Sequence, residues 1–193
     1  MAELAQLSSS SLVNATFERG GYVSDLEELK RLLGEPAPRP HSPSDWAQVE
    51  NHLGSSLPSD YKAFMDAYGS GIISEELMVF HPQGSTPLLP RMREMHERIS
   101  RSRERRPDDF PYPFHPEENG LIYWGYDFGG DDHFFMPCSP DPNRWKVVTA
   151  VHGSSCVTFD GSFTAFVLNF VMNLQFMDET GNIGPATPSF ESA

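Results

Sequence analysis

The stretch SDWAQVENHLGSSLPSDYKAFMDAYGSGII, residues 44–73, decides the fold. Trp46, Val49 and Leu53 recur at steps of three and four, which places them on one face of a helix, and Gly54 stops that helix. Ser44 stands where an N-cap belongs. A second helix opens at Pro58, whose fixed φ and missing N–H suit a first turn. Tyr61, Phe64, Met65 and Tyr68 line its apolar side, and Gly69 closes it. Short apolar runs near Gly71–Ser74 and Leu77–Phe80 then read as two strands.

Toward the N-terminus, Ser24 and Glu27 form a capping box ahead of Leu26, Leu29, Leu32 and Leu33, and Gly34 ends that helix. Residues 1–20 are small and polar and read as a tail. Pro36, Pro38, Pro40 and Pro43 give an extended linker. Toward the C-terminus, Leu88, Met92, Met95 and Ile99 mark a helix that is basic outside its apolar stripe. The stripe stops at Ile99, so residues 101–106 read as a loop running on through Pro107, Pro111, Pro113 and Pro116.

Leu121–Phe128, His133–Met136 and Lys146–Val151, split by glycine and aspartate turns, read as an antiparallel meander, with Cys156–Phe159 as a last strand. Ser162 caps a final helix whose apolar face holds Phe163, Phe166, Val167, Phe170, Val171 and Leu174. After Asp178 the chain reads as loop. The expected fold class is α+β: N-terminal helices packed on a mostly antiparallel twisted sheet, closed by a C-terminal helix. The expected organisation is one domain over 21–178, carrying an insertion at 88–119 (the basic helix and Pro-rich loop), with tails at 1–20 and 179–193.

Composition narrows the function. Among 193 residues there are 14 Phe, 6 Tyr and 3 Trp, enough aromatic mass to exclude a disordered chain. The net charge of −13 repels phosphate backbones and anionic membranes and suits a basic partner. The bases are clustered: residues 91–106 hold seven Arg against three Glu, which leaves −17 over the rest. The basic helix could meet nucleic acid, but that acidic remainder opposes it. There is no run of about 20 apolar residues that would span a bilayer. Glu3 and Ser8 to Ser11 replace the base and apolar run of a signal peptide. Cys138 and Cys156 sit in no Cys-x-x-Cys pair and read as reduced thiols. A cytoplasmic protein is expected.

Catalytic patterns are missing. No lysine follows a Gly-rich phosphate loop, Gly153-Ser154-Ser155-Cys156 lacks the last glycine of a nucleophile elbow, and the histidines are scattered. His152 beside Ser154, Ser155 and Cys156 could activate a nucleophile, and Asp131, Asp132 and His133 could offer metal ligands. Neither set is complete, so no catalysis, cofactor or metal is expected.

Three stretches together resemble one family. The first holds Trp46, Glu50, Gly54, Leu57, Pro58, Asp60, Tyr61, Phe64, Tyr68, Gly69, Gly71 and Ile72. The second is Trp124-Gly125 with Gly130-Asp131 close behind. The third joins Pro140-Asp141-Pro142 and Trp145 to Phe159-Asp160-Gly161-Ser162-Phe163 and Phe166. Their order and spacing resemble the SUKH superfamily, which includes the yeast Smi–Knr regulators and many bacterial immunity proteins. The resemblance implies a non-catalytic α+β module that binds a protein, foremost a toxin domain with a basic surface, with an intracellular adaptor of the Smi–Knr type as the alternative. An uncharacterised hydrolase or metal enzyme is the third reading.

Most of the first stretch also has a plain structural meaning, as core and turn residues. For the partner-facing edge the sequence offers the turn Asp127-Phe128-Gly129-Gly130-Asp131-Asp132. Its three carboxylates lie beside Trp124 and Tyr126, with Asp141 on the next turn. Carboxylates accept forked donors from arginines, and aromatic residues anchor interfaces.

Overall fold

The computed structural model describes residues 22–37, 42, 44–107, 112–151, 155–177 and 183–193. The expected N-terminal tail, part of the proline linker, and His152 and Ser154 lie outside the described residues. The helices are α1 (Tyr22–Leu33), α2 (Ser44–Leu53), α3 (Ser59–Tyr68), α4 (Leu88–Arg105) and α5 (Phe163–Asn173). The strands are β1 (Gly71–Ile73), β2 (Leu77–Val79), β3 (Ile122–Asp127), β4 (Asp132–Met136), β5 (Lys146–Val151), β6 (Ser155–Phe159), β7 (Gln175–Met177), β8 (Ile183–Pro185) and β9 (Phe190–Ser192).

The main sheet has seven antiparallel strands in the order β6-β5-β4-β3-β2-β1-β9, and β7 pairs with β8 separately. Helices pack on both faces, and α5 closes one of them, so the α+β architecture is the expected one. Strand alternation sorts the side chains. Trp124, His133 and Phe135 face α5, where Trp124 meets Phe163 and Phe166 edge-on with centroids 5.0 and 5.7 Å away. Tyr123 and Phe134 face the other way, under α4. Trp124 is the extra residue of a bulge in the β3–β4 register.

Two expectations need correction. The first is the basic helix, which runs to Arg105 rather than fraying after Ile99. Arg and Glu are good helix formers, and Arg103 pairs with Glu117 on the body, so charge holds the turns that the apolar stripe no longer reaches. The second is the C-terminal segment, which is not loop throughout. Strand β9 adds to the β1 edge, with Phe190 packed on Tyr68 at 4.8 Å. A three-residue strand with the single apolar residue Phe190 carries no usable period, which is why the sequence hides it.

Candidate interaction surface

The residues that carry the family resemblance make contacts within the chain. Trp46 is buried, and its Nε1 donates to Asp66 Oδ1 at 2.8 Å. Glu50 accepts from the Leu57 N–H at 3.1 Å and from Lys62 Nζ at 2.7 Å, bracing the turn that Gly54 permits at φ +68°. Leu57 and Pro58 are buried at the start of α3. Asp60, buried, accepts from the Thr164 N–H at 2.8 Å and its hydroxyl at 3.1 Å, which ties α3 to the first turn of α5. The Tyr61 hydroxyl donates to the Phe80 carbonyl at 2.7 Å, and that of Tyr68 to the Gly34 carbonyl at 2.8 Å. Phe64 stacks on Tyr68, and the Gly69 N–H closes α3 on Met65 O. A Cβ on Gly71 would stand 2.3 Å from the Glu191 carbonyl and 2.4 Å from the Phe190 ring, so this glycine makes room for β9.

The expected acidic edge divides on inspection. Trp124 has no exposed surface and stacks on His133 at 5.1 Å, so it serves the core and cannot meet a partner. Asp127 is also buried: its Oδ1 accepts from the Asp131 N–H at 3.0 Å, and its Oδ2 lies 3.3 Å from His133 Nε2. Burial pushes the Asp127 carboxyl up, but the His133 imidazole and the Asp131 N–H outweigh it and hold the carboxyl below its ordinary value. Asp141 follows the far end of β4 and accepts from Asn143 there, so a strand's length separates it from the 127–132 turn. Asp132 points to the α4 face and pairs with Arg98. Burial raises its carboxyl in spite of that arginine.

What the turn does join was not visible in the sequence. The Phe128 N–H donates to the Glu76 carbonyl at 3.0 Å, which lays the β1–β2 turn against the β3–β4 turn. Glu75 and Glu76 thereby stand on the turn next to Asp131 and Phe128, and Phe128 is 52% exposed. The Tyr126 ring lies 5.8 Å from that of Phe128. Burial, and then the Asp127 charge, raises the Glu76 carboxyl, a sign of crowded acid at this end of the sheet. The pairing of β2 with β3, Leu77 opposite Asp127, brings these turns together from some 50 positions apart.

Of the two weak catalytic options, the first rests on His152 and Ser154, outside the described residues, and the second on the surroundings of His133. Asp127, His133 and Thr149 form a carboxylate–imidazole–hydroxyl chain, with His133 Nδ1 3.0 Å from Thr149 Oγ1. His133 is 1% exposed between Trp124 and Phe166, so no substrate reaches it, and the chain serves to fix β3, β4 and β5. Asp132 and His133 face opposite sides of the sheet and cannot share a metal. Among the described residues no three His, Cys, Asp or Glu side chains converge as metal ligands would, and no helix is long and apolar enough to cross a membrane. Cys138 and Cys156 are free thiols.

A family model described as the SMI1 / KNR4 family (SUKH-1) matches residues 40–169, about two thirds of the chain. No curated protein matches it.

Proposed function

The chain belongs to the SMI1 / KNR4 family (SUKH-1), and on that premise we propose that it is a non-catalytic protein-binding module, an immunity protein that binds and neutralises a toxin with a basic surface. The observation that carries the reading is the acidic apex. Two hairpin turns present Glu75, Glu76 and Asp131 beside the exposed ring of Phe128, on a chain of net charge −13. A partner rich in arginine would be steered there by charge and anchored on Phe128 and Tyr126. Asp141 lies on the same acidic body but outside this apex, and contributes to the long-range field only. Toxins that cleave nucleic acid carry basic grooves, which makes a nuclease domain the best complement. The site of action in this reading is the cytoplasm.

The test is rescue. The C-terminal domain encoded by the neighbouring reading frame is expressed in a host alone and together with this chain. Growth arrest by the domain alone, relief on co-expression, and a stoichiometric complex on gel filtration are expected. Arrest that persists in spite of soluble chain contradicts the reading. Stable capture of host regulators without any effect on the toxin domain assigns the chain to the adaptor class instead.

A further inference from the structure

A cleft of about 230 Å³ opens on the face of the sheet away from α5. Its floor is apolar, built by Met92, Met95 and Ile99 of α4 with Phe114, Leu121 and Phe134. Its rim is cationic or proton-binding. His52 comes from the last turn of α2, Arg93 and His96 from α4, and His115 from the segment leading into β3. Three of the chain's seven histidines thus stand around one opening. The imidazoles of His52 and His115 lie 5.2 Å apart, centroid to centroid. His96 Nδ1 is buried and has no hydrogen-bond partner among the described residues. A buried polar nitrogen left without a partner is costly unless something completes it.

We propose that this cleft is a binding site for a small amphipathic carboxylate, with its head between Arg93 and the three imidazoles and its apolar stem along the methionine and phenylalanine floor. One permanent cation matches a monoanion, and a guanidinium can hold both carboxylate oxygens at once. The depth and the apolar lining suit a short hydrocarbon or aryl stem, in the manner of small-molecule pockets. Arg93 also disfavours a bound metal cation at the same rim.

Protons follow the head group. In the empty cleft burial lowers the proton affinity of His52, with Arg93 and His96 adding to it. Burial likewise lowers that of His115, with His52 and His96 adding. An anion placed among them reverses the sign of the local field and raises both. Binding therefore takes up protons and strengthens as pH falls. The other ionisable groups lining the cleft are Glu97 on α4 and Tyr123 on β3. Glu97 opposes the anion from the rim, and Tyr123 is neutral at these pH values because burial raises it far above its ordinary range.

The probe is octanoate, with octanol as the uncharged control of equal stem. Titrations are read by calorimetry and by the ¹³C-methyl signals of Met92 and Met95. Saturable one-site binding is expected, with both methyl signals shifting and octanol at least tenfold weaker. Affinity at pH 6 should exceed that at pH 8 by fivefold or more. Arg93→Gln should weaken octanoate at least tenfold, and His115→Gln should flatten the pH profile; circular dichroism checks that both variants fold. Equal binding of octanol and octanoate, methyl signals that stay fixed, or affinity independent of pH would each overturn the proposal. All three are read on the unaltered chain, so they hold even if a variant misfolds. Displacement of octanoate by equimolar inorganic phosphate would overturn the choice of a carboxylate.

Discussion

The two faces of the sheet are covered in different ways. On one, α3 and α5 press Tyr61, Phe64 and Phe163 onto Trp124 and Phe135 in edge-to-face contacts of about 5 to 6 Å, and Asp60 and Tyr61 spend their polar atoms on neighbouring backbone. On the other, α4 lies across β3 with methionines toward the sheet, Arg91 5.8 Å from the Phe80 centroid, and ion pairs from Arg98 and Arg103 at its outer turns. The aromatic side is closed by interlocking rings, whereas the methionine side carries a cleft. The contrast teaches where stability and recognition reside. Residues of the α3–α5 face hold the fold, and the two proposed binding sites, the hairpin apex and the cleft beside α4, lie outside that packing.

The largest effect that can break this contrast is in the core. Trp124→Ala should cost about 3–5 kcal/mol in urea unfolding, as truncation of large buried aromatics does, and Met95→Ala should fall near the ~2 kcal/mol lower end for truncated aliphatics. Equal losses would mean that the two faces are packed alike. Next comes the tie between helices. Asp60→Ala strands two donors of Thr164 at the start of α5 and should cost about 1–3 kcal/mol. A loss near zero would show that α5 docks without it.

The acid limb of stability sharpens the picture at the apex. The Asp127 carboxyl is held below its ordinary 3.8 in the folded chain, so its contribution is present above that value and is lost as pH falls through the folded pKa. Asp132, raised by burial, runs the other way: its contribution is lost as pH rises from 3.8 through the folded value. In acid titrations of unfolding free energy, Asp127→Asn should therefore flatten the drop below about pH 4, and Asp132→Asn should remove the gain in stability that the unaltered chain shows as pH falls toward about 4. Identical slopes in the two variants would refute the opposed environments. The smallest effects belong to the basic helix. Arg103→Ala should change stability by less than about 1 kcal/mol, because its ion pair with Glu117 faces solvent.

Much of this was legible in the sequence where one element explains itself. The spacing of Tyr61, Phe64 and Tyr68 announces a buried helix face, and Ser162 caps α5 as read, accepting from the Ala165 N–H at 3.2 Å. Trp46 begins an apolar stripe and is buried. What was hidden depends on pairing between distant segments. Trp124 and Tyr126 look alike as aromatics two apart in a strand, but the bulge between Tyr123 and Gly125 breaks the alternation, so Trp124 keeps the α5 face while Tyr126 falls on the other, beside Phe80. Glu75 and Glu76 join Asp131 only through the β2–β3 register, and His52, His96 and His115 meet only once α2 and α4 are packed. Strand β9 is too short to declare itself.

The central claim is that the acidic apex receives a basic protein partner. Its most direct test is the association rate of the C-terminal domain encoded by the neighbouring reading frame with the unaltered chain and with the triple variant Glu75→Gln, Glu76→Gln, Asp131→Asn, measured across a salt series. Charge steering is screened within about 8–10 Å at ordinary salt, so the unaltered chain should associate fast at low salt and slow as salt rises. The triple variant, with its fold intact by circular dichroism, should start at least tenfold slower at low salt and change little. Equal rates for the two chains at every salt concentration would contradict the claim.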